Sequence, residues 1–143
     1  MGVILLLSGP NLNLLGEREP QIYGSSTLDD CVADARAAAE VGGHSLEHVQ
    51  GNGEAVLVDA IHGARGRCAA IVINPAAFSH YSYAIADALA TFAGVKVELH
   101  VSNPYAREGW RRHSVSAPYV TGVIAGFGRA GYRLAVEAAV TLL

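Results

Sequence analysis

The sequence predicts an α/β fold: five parallel strands forming one sheet between two layers of helices. Two observations carry this. Short, continuous apolar runs alternate with segments whose apolar residues recur at helical spacing. The links between them are short, and such alternation sets strands side by side in parallel with crossover helices on both faces. The 143 residues are 51% apolar and 16% charged, enough to build one core without metals or disulfides. Residues 1–143 are therefore expected to form a single domain.

The elements follow in order. Val3-Ile4-Leu5-Leu6-Leu7 is apolar throughout, as a strand buried on both faces requires. From Thr27 to Glu40, Leu28, Cys31, Val32, Ala35 and Ala39 mark one helical face, with Ser26 or Thr27 as N-cap and Gly42-Gly43 as stop. Ser45 to Gln50 predicts a second strand, and Glu54 to Ala64 a helix ending near Gly66. Ala69 to Ile73 predicts a third strand, and Tyr83 to Phe92 a helix. Val95 to Val101 and Val120 to Ala125 complete the strands, and Ala130 to Leu143 closes the chain as a helix. Read as β-α repeated five times with right-handed crossovers, this is a doubly wound, flavodoxin-like three-layer sandwich of strand order 2-1-3-4-5.

Composition excludes several function classes. The formal charge is −3 and no basic patch gathers, so no nucleic-acid partner is expected. The apolar start is too short to span a membrane and lacks the charged flank and cleavage site of a signal peptide, which reads as a cytoplasmic protein with no membrane partner. Cys31 and Cys68 stand apart, and no histidine spacing suggests a metal. The single lysine, Lys96, opens the fourth strand at a position expected to be solvated, which argues against Schiff-base chemistry.

One stretch breaks the rhythm. Leu12 to Ser25 shows no period and follows the first strand, at the sheet edge where open α/β sheets bind ligands. It reads as a lid or binding loop. The other strand exits converge on the same edge: Ser8-Gly9-Pro10-Asn11, Gly51-Asn52-Gly53-Glu54, Asn74-Pro75 and His100-Val101-Ser102-Asn103. Any one of these residues suits a cap or a turn. Four polar exits on one edge point to a site.

Within that edge, Glu98 and His100 lie two apart on a strand and share a face, so the carboxylate can hold one imidazole nitrogen and set the tautomer. Arg18 and Tyr23 lie in the long loop, where a guanidinium beside a phenol favours the phenolate, a base for a carbon-bound proton. Arg107, Arg111 and Arg112 follow the fourth strand and offer carboxylate or hydroxyl clamps, with Arg112 and His113 better read as a solvated face. His44, His48 and His62 have no partner pattern and are assigned to surface or core. Gly126-Phe127-Gly128-Arg129-Ala130-Gly131 matches the GxGxxG fingerprint, but the 12 residues after it cannot hold the rest of a dinucleotide site. These glycines read as close helix–strand packing. A flavin or phosphate loop after the first strand is equally disfavoured, because Pro10 has no N–H to donate.

Taken together, the motifs name a family. Gly9-Pro10-Asn11-Leu12-Asn13-Leu14-Leu15-Gly16, Arg18-Glu19-Pro20, Tyr23-Gly24, Gln50-Gly51-Asn52, Asn74-Pro75, Ser79-His80, Asp87-Ala88-Leu89 and Glu98-Leu99-His100-Val101-Ser102-Asn103 resemble type II 3-dehydroquinate dehydratases. Arg107-Glu108, Arg111-Arg112-His113-Ser114, Gly122-Val123-Ile124, Gly126-Phe127-Gly128 and Gly131-Tyr132 extend the resemblance to the end of the chain.

The resemblance implies a hydro-lyase of the shikimate pathway or of quinate breakdown. Its reaction is an anti elimination of water from 3-dehydroquinate through an enolate, without cofactor, metal or Schiff base. Tyr23 would be the base, held as phenolate by Arg18. Asn11 would hold a water at the enolate oxygen, and His100, oriented by Glu98, would be the acid. The backbone N–H groups of Val101 and Ser102 and the Ser102 hydroxyl would take the carboxylate; Asn74, His80 and Arg111 would hold ring hydroxyls. Asp87 would reach a neighbouring subunit's site in a homo-oligomer, a dodecamer built from trimers. The departures are Ser8 for a usual Asn, Gly51 for Ser, Ala55 for Gly, Ala77-Phe78-Ser79-His80 for Gly-Ala-Tyr-Thr-His, and Trp110 for Phe. A paralogue that only binds a related ring acid would lack one of Tyr23, Arg18, Asn11 or His100, and all four are present.

Overall fold

The computed structural model describes all 143 residues. Its sheet runs β2-β1-β3-β4-β5, formed by β1 (Val3–Ser8), β2 (Ser45–Gln50), β3 (Ala70–Asn74), β4 (Val95–His100) and β5 (Gly122–Ala125), and every pairing is parallel. The predicted flavodoxin-like order is thus observed. β1 lies between β2 and β3 and is buried along nearly its whole length, which is why its sequence shows no polar alternation.

Alternate side chains of β1 feed two cores. Ile4 and Leu6 join Val72, Val97 and Leu99 beneath α2 (Leu28–Val41) and α5 (Ala130–Thr141), after α1 (Pro20–Tyr23) in the chain. Leu5 and Leu7 join Ile71 and Ile73 beneath α3 (Glu54–Ala64) and α4 (Tyr83–Ala90). Small residues set the close approach of α2 and α5: Ala35, Ala39, Ala135 and Ala139 are fully buried between them. Thr27 begins α2 with a capping box. Its hydroxyl accepts from the Asp30 N–H at 3.2 Å, and the Asp30 carboxylate accepts from the Thr27 N–H at 3.0 Å.

Two expectations need correction and one gains detail. The Leu12–Ser25 segment, read as a lid or binding loop, holds a 3-10 turn (Leu12–Leu14) and the four-residue α1. Leu12 and Leu15 anchor it in the core, a pairing too short to register as a period. Only four long helices follow strands, because β4 and β5 are joined by three 3-10 turns (Pro104–Ala106, Gly109–Arg112, Ala117–Tyr119). Finally, Lys96 is half-buried, not solvated. Its ammonium donates to the Leu89 and Phe92 carbonyls at 2.9 and 2.6 Å, satisfying the end of α4, and burial lowers its pKa. It stands away from the strand exits that bear the polar groups.

Candidate active site

The carboxyl ends of β1, β3 and β4 open into one cleft of about 250 Å³. Asn11, Arg18, Tyr23, Asn74, His80, His100, Val101, Ser102 and Arg111 all line it. Glu98 lies behind His100, and Asp87 stands exposed on α4 and does not line the cleft of its own chain.

The exit of β1 turns sharply. Asn11 adopts φ +68, a left-handed conformation that Asn tolerates better than most residues. Its N–H donates to Asn52 Oδ1 at 3.0 Å, and Gln50 Nε2 donates to the same oxygen at 3.1 Å and to the Gly9 carbonyl at 3.2 Å. The loop after β2 thus braces the loop after β1. Gly9 passes so close to the Asn74-Pro75 segment that a Cβ would sit 2.5 Å from the Pro75 carbonyl oxygen. Gly51, where the family usually has serine, is likewise constrained, because a Cβ there would meet the Val56 side chain at 2.7 Å.

The loop places Tyr23 between two cations. The Arg18 guanidinium lies 4.6 Å from the ring centroid and that of Arg107 lies 5.0 Å away. Arg107 also donates to the Ser102 hydroxyl at 3.1 Å, while its Nε is buried without a partner. α1, which carries Tyr23, begins at Glu19 with φ +39 and has Pro20 at its first position, where a missing N–H costs nothing.

On β4 the Glu98–His100 pair is formed. His100 Nε2 lies 2.8 Å from Glu98 Oε2, so the other ring nitrogen, Nδ1, is left for the cleft. Glu98 is only 1% exposed. Its carboxylate also accepts from the Ser114 hydroxyl at 3.2 Å and from the Ser116 hydroxyl, so a buried charge is compensated by neighbouring donors. Ser114 in turn accepts the Ala117 N–H at 3.0 Å, tying this support to the last 3-10 turn.

His80 Nδ1 lies 2.8 Å from the His113 carbonyl, which requires the proton on Nδ1 and turns Nε2 outward as an acceptor. Burial lowers its pKa; the His113 carbonyl opposes the shift, and His100 and Arg111 add to it. Trp110 meets the His80 ring edge-on at 5.2 Å and lies under the Arg111 guanidinium at 4.1 Å. Glu108 accepts from Arg111 Nε at 3.0 Å.

Sequence reasoning left Arg107 without a definite role and missed Trp110, Ser114 and Ser116 as site components. The serines and Glu98 are more than fifteen residues apart, and no local spacing signals their meeting. The glycine cluster after β5 meets its expectation in part, since Gly131 is buried at the start of α5 beside Leu99 of β4. Gly126 and Gly128 adopt φ +95 and +60, and their N–H groups donate to the carbonyls of His100 and Val101, at 3.2 and 2.9 Å. They form the turn that holds the β4 exit. No three His, Cys, Asp or Glu side chains converge as a metal site, and no helix is long and apolar enough to cross a membrane.

Comparison with known proteins agrees with this architecture. Residues 2–140 match the family model described as "Dehydroquinase class II". The chain is 55% identical over 134 residues to the "Catabolic 3-dehydroquinase" of Aspergillus clavatus, covering 94% of this chain and 89% of that one. It is 51% identical over 142 residues to the "3-dehydroquinate dehydratase 2" of Agrobacterium fabrum, covering 99% and 97%. The crystal structure of the type II dehydroquinase from Propionibacterium acnes superposes with a TM-score of 0.91 at 46% identity, covering 99% and 97%. With sequence, fold and cleft in agreement, the chain belongs to the class II dehydroquinase family.

Proposed function

We propose that this enzyme eliminates water from 3-dehydroquinate to give 3-dehydroshikimate through an enolate, with Tyr23 as base and His100 as acid. The observation that carries the reading is the convergence in one cleft of a tyrosine flanked by two guanidiniums and a histidine backed by a buried carboxylate.

The roles follow from charge and hydrogen-bond direction. Tyr23, with the Arg18 and Arg107 guanidiniums beside its ring, takes the proton alpha to the ketone. The electron pair moves into the carbonyl, and a water held by Asn11 donates to the developing oxyanion, the position where preorganised donors count most. The carbon–oxygen bond then breaks, and the Nδ1 proton of the His100 imidazolium leaves with the hydroxyl as water. Glu98 stabilises that imidazolium through Nε2. The Val101 and Ser102 N–H groups and the Ser102 hydroxyl, oriented by Arg107, take the substrate carboxylate. Asn74, His80 and Arg111 take the ring hydroxyls. The segment carrying Arg18 and Tyr23 closes as a lid. In the assembly, a dodecamer of trimers, Asp87 completes a neighbouring subunit's site, in keeping with its exposed place on α4.

The test is direct. Purified protein is mixed with 3-dehydroquinate, and the ultraviolet absorbance of the conjugated enone is followed. Turnover that disappears in Tyr23→Phe supports the assignment. Turnover that survives the substitution removes Tyr23 as base, and a folded wild type without turnover removes the function.

A further inference from the structure

We propose that Tyr132 is a positioning residue for Asn74. The proposal rests on the reading of Asn74 as a substrate contact.

Asn74 ends β3 and is 2% exposed. Its amide is held at both ends. Oδ1 accepts the Ala76 N–H at 3.1 Å, and Nδ2 donates to the Tyr132 hydroxyl at 3.1 Å. The Ala76 N–H can only donate, so it decides which end of the amide carries the oxygen. Ala76 presents it from a left-handed turn, φ +52. Tyr132 must therefore accept, and one Nδ2 hydrogen remains for the cleft.

Tyr132 is fully buried on α5, where no water competes for its hydroxyl, and burial raises its pKa, so the phenol stays neutral as the acceptor for the amide.

The experiment combines kinetics with a readout that needs no substrate. Wild type, Tyr132→Phe, Asn74→Ala and the double variant are compared in steady-state turnover of 3-dehydroquinate. Exchange of the Asn74 side-chain amide protons is followed by NMR in wild type and Tyr132→Phe. The expected result is a KM about tenfold higher in Tyr132→Phe with kcat within about threefold, the size of one net hydrogen bond. In the Asn74→Ala background the same change leaves KM unmoved. Amide exchange accelerates about tenfold or more in Tyr132→Phe. An unchanged KM, or an equal rise in the Asn74→Ala background, overturns the proposal, as does unchanged amide exchange. Wild type without turnover refutes the function reading alone, and the exchange measurement still decides the positioning role. If Tyr132→Phe does not fold, the wild-type amide decides: one Asn74 Nδ2 proton is expected to exchange at least about tenfold more slowly than the other, and two protons that exchange equally fast overturn the proposal.

Discussion

The two halves of the cleft are built differently. The β4 half is set in the sheet: Glu98 is buried, accepts from three side chains, and holds His100 on the same strand face. The Leu12–Ser25 half rests on Leu12 and Leu15 and on a four-residue helix entered through a left-handed glutamate. Tyr23 there has no hydrogen-bonded support comparable to that of His100, and its position is defined by two guanidiniums beside its ring. The His100 side is thus part of the folded core, while the Tyr23 side is placed by a surface segment. Function and stability are therefore coupled on one side and separable on the other.

The largest expected effect isolates the loop side. Tyr23→Phe should lower kcat by roughly 10²–10⁴-fold, the range for removing a general base. Because the ring is only partly buried, its thermal midpoint should stay within about 2 °C of wild type. A drop of many degrees would show that the loop side is also a structural element, and would break the comparison.

Glu98→Gln tests the other side. An amide keeps one acceptor oxygen, enough for His100 and Ser114, but presents an N–H₂ group where Ser116 meets an acceptor, and it carries no charge. It should lower kcat by about 10- to 100-fold and also cost roughly 2 kcal/mol of stability, since hydrogen bonds to a buried charged group are lost. Urea unfolding beside turnover separates the two effects. Loss of rate with no loss of stability would show that Glu98 is less integral to the core than its burial implies.

Acid sensitivity should also sit on the strand side. Burial lowers the pKa of both His48 and His80 below the ordinary 6.5. A histidine with a depressed folded pKa contributes stability above its unfolded value and loses it as pH falls through that value and then the folded one. The urea midpoint should therefore fall between pH 7 and pH 5, and His48→Gln should flatten that fall. An unchanged slope in the variant would remove His48 from the account.

The smallest effect returns to the loop. Glu19 holds φ +39, where glycine meets no steric penalty. In Glu19→Gly, relief of strain opposes the greater freedom of the unfolded chain, so stability should change by no more than about 0.5 kcal/mol. The kcat/KM should fall a few-fold as the entry to α1 loosens. A larger loss of stability would mean that the Glu19 side chain, 3.7 Å from Arg18, carries more than the backbone does.

Much of this was legible in the order of residues. Apolar runs such as Val3 to Leu7 cannot face water on either side, and their alternation with helical patterns leaves few topologies. The polar residues after β1, β3 and β4 must then share one edge, because parallel strands put all their exits together. Glu98 and His100 could be paired from spacing alone, since residues two apart on a strand share a face. What tertiary structure decided lies where no local period exists. Ser114 and Ser116 reach Glu98 across two 3-10 turns, Arg107 swings back over Tyr23, and the His113 carbonyl selects the tautomer of His80. The hydroxyl of Tyr132 meets Asn74 across 58 positions of chain. Such contacts depend on the relative placement of whole elements, which side-chain spacing along one strand or helix does not encode.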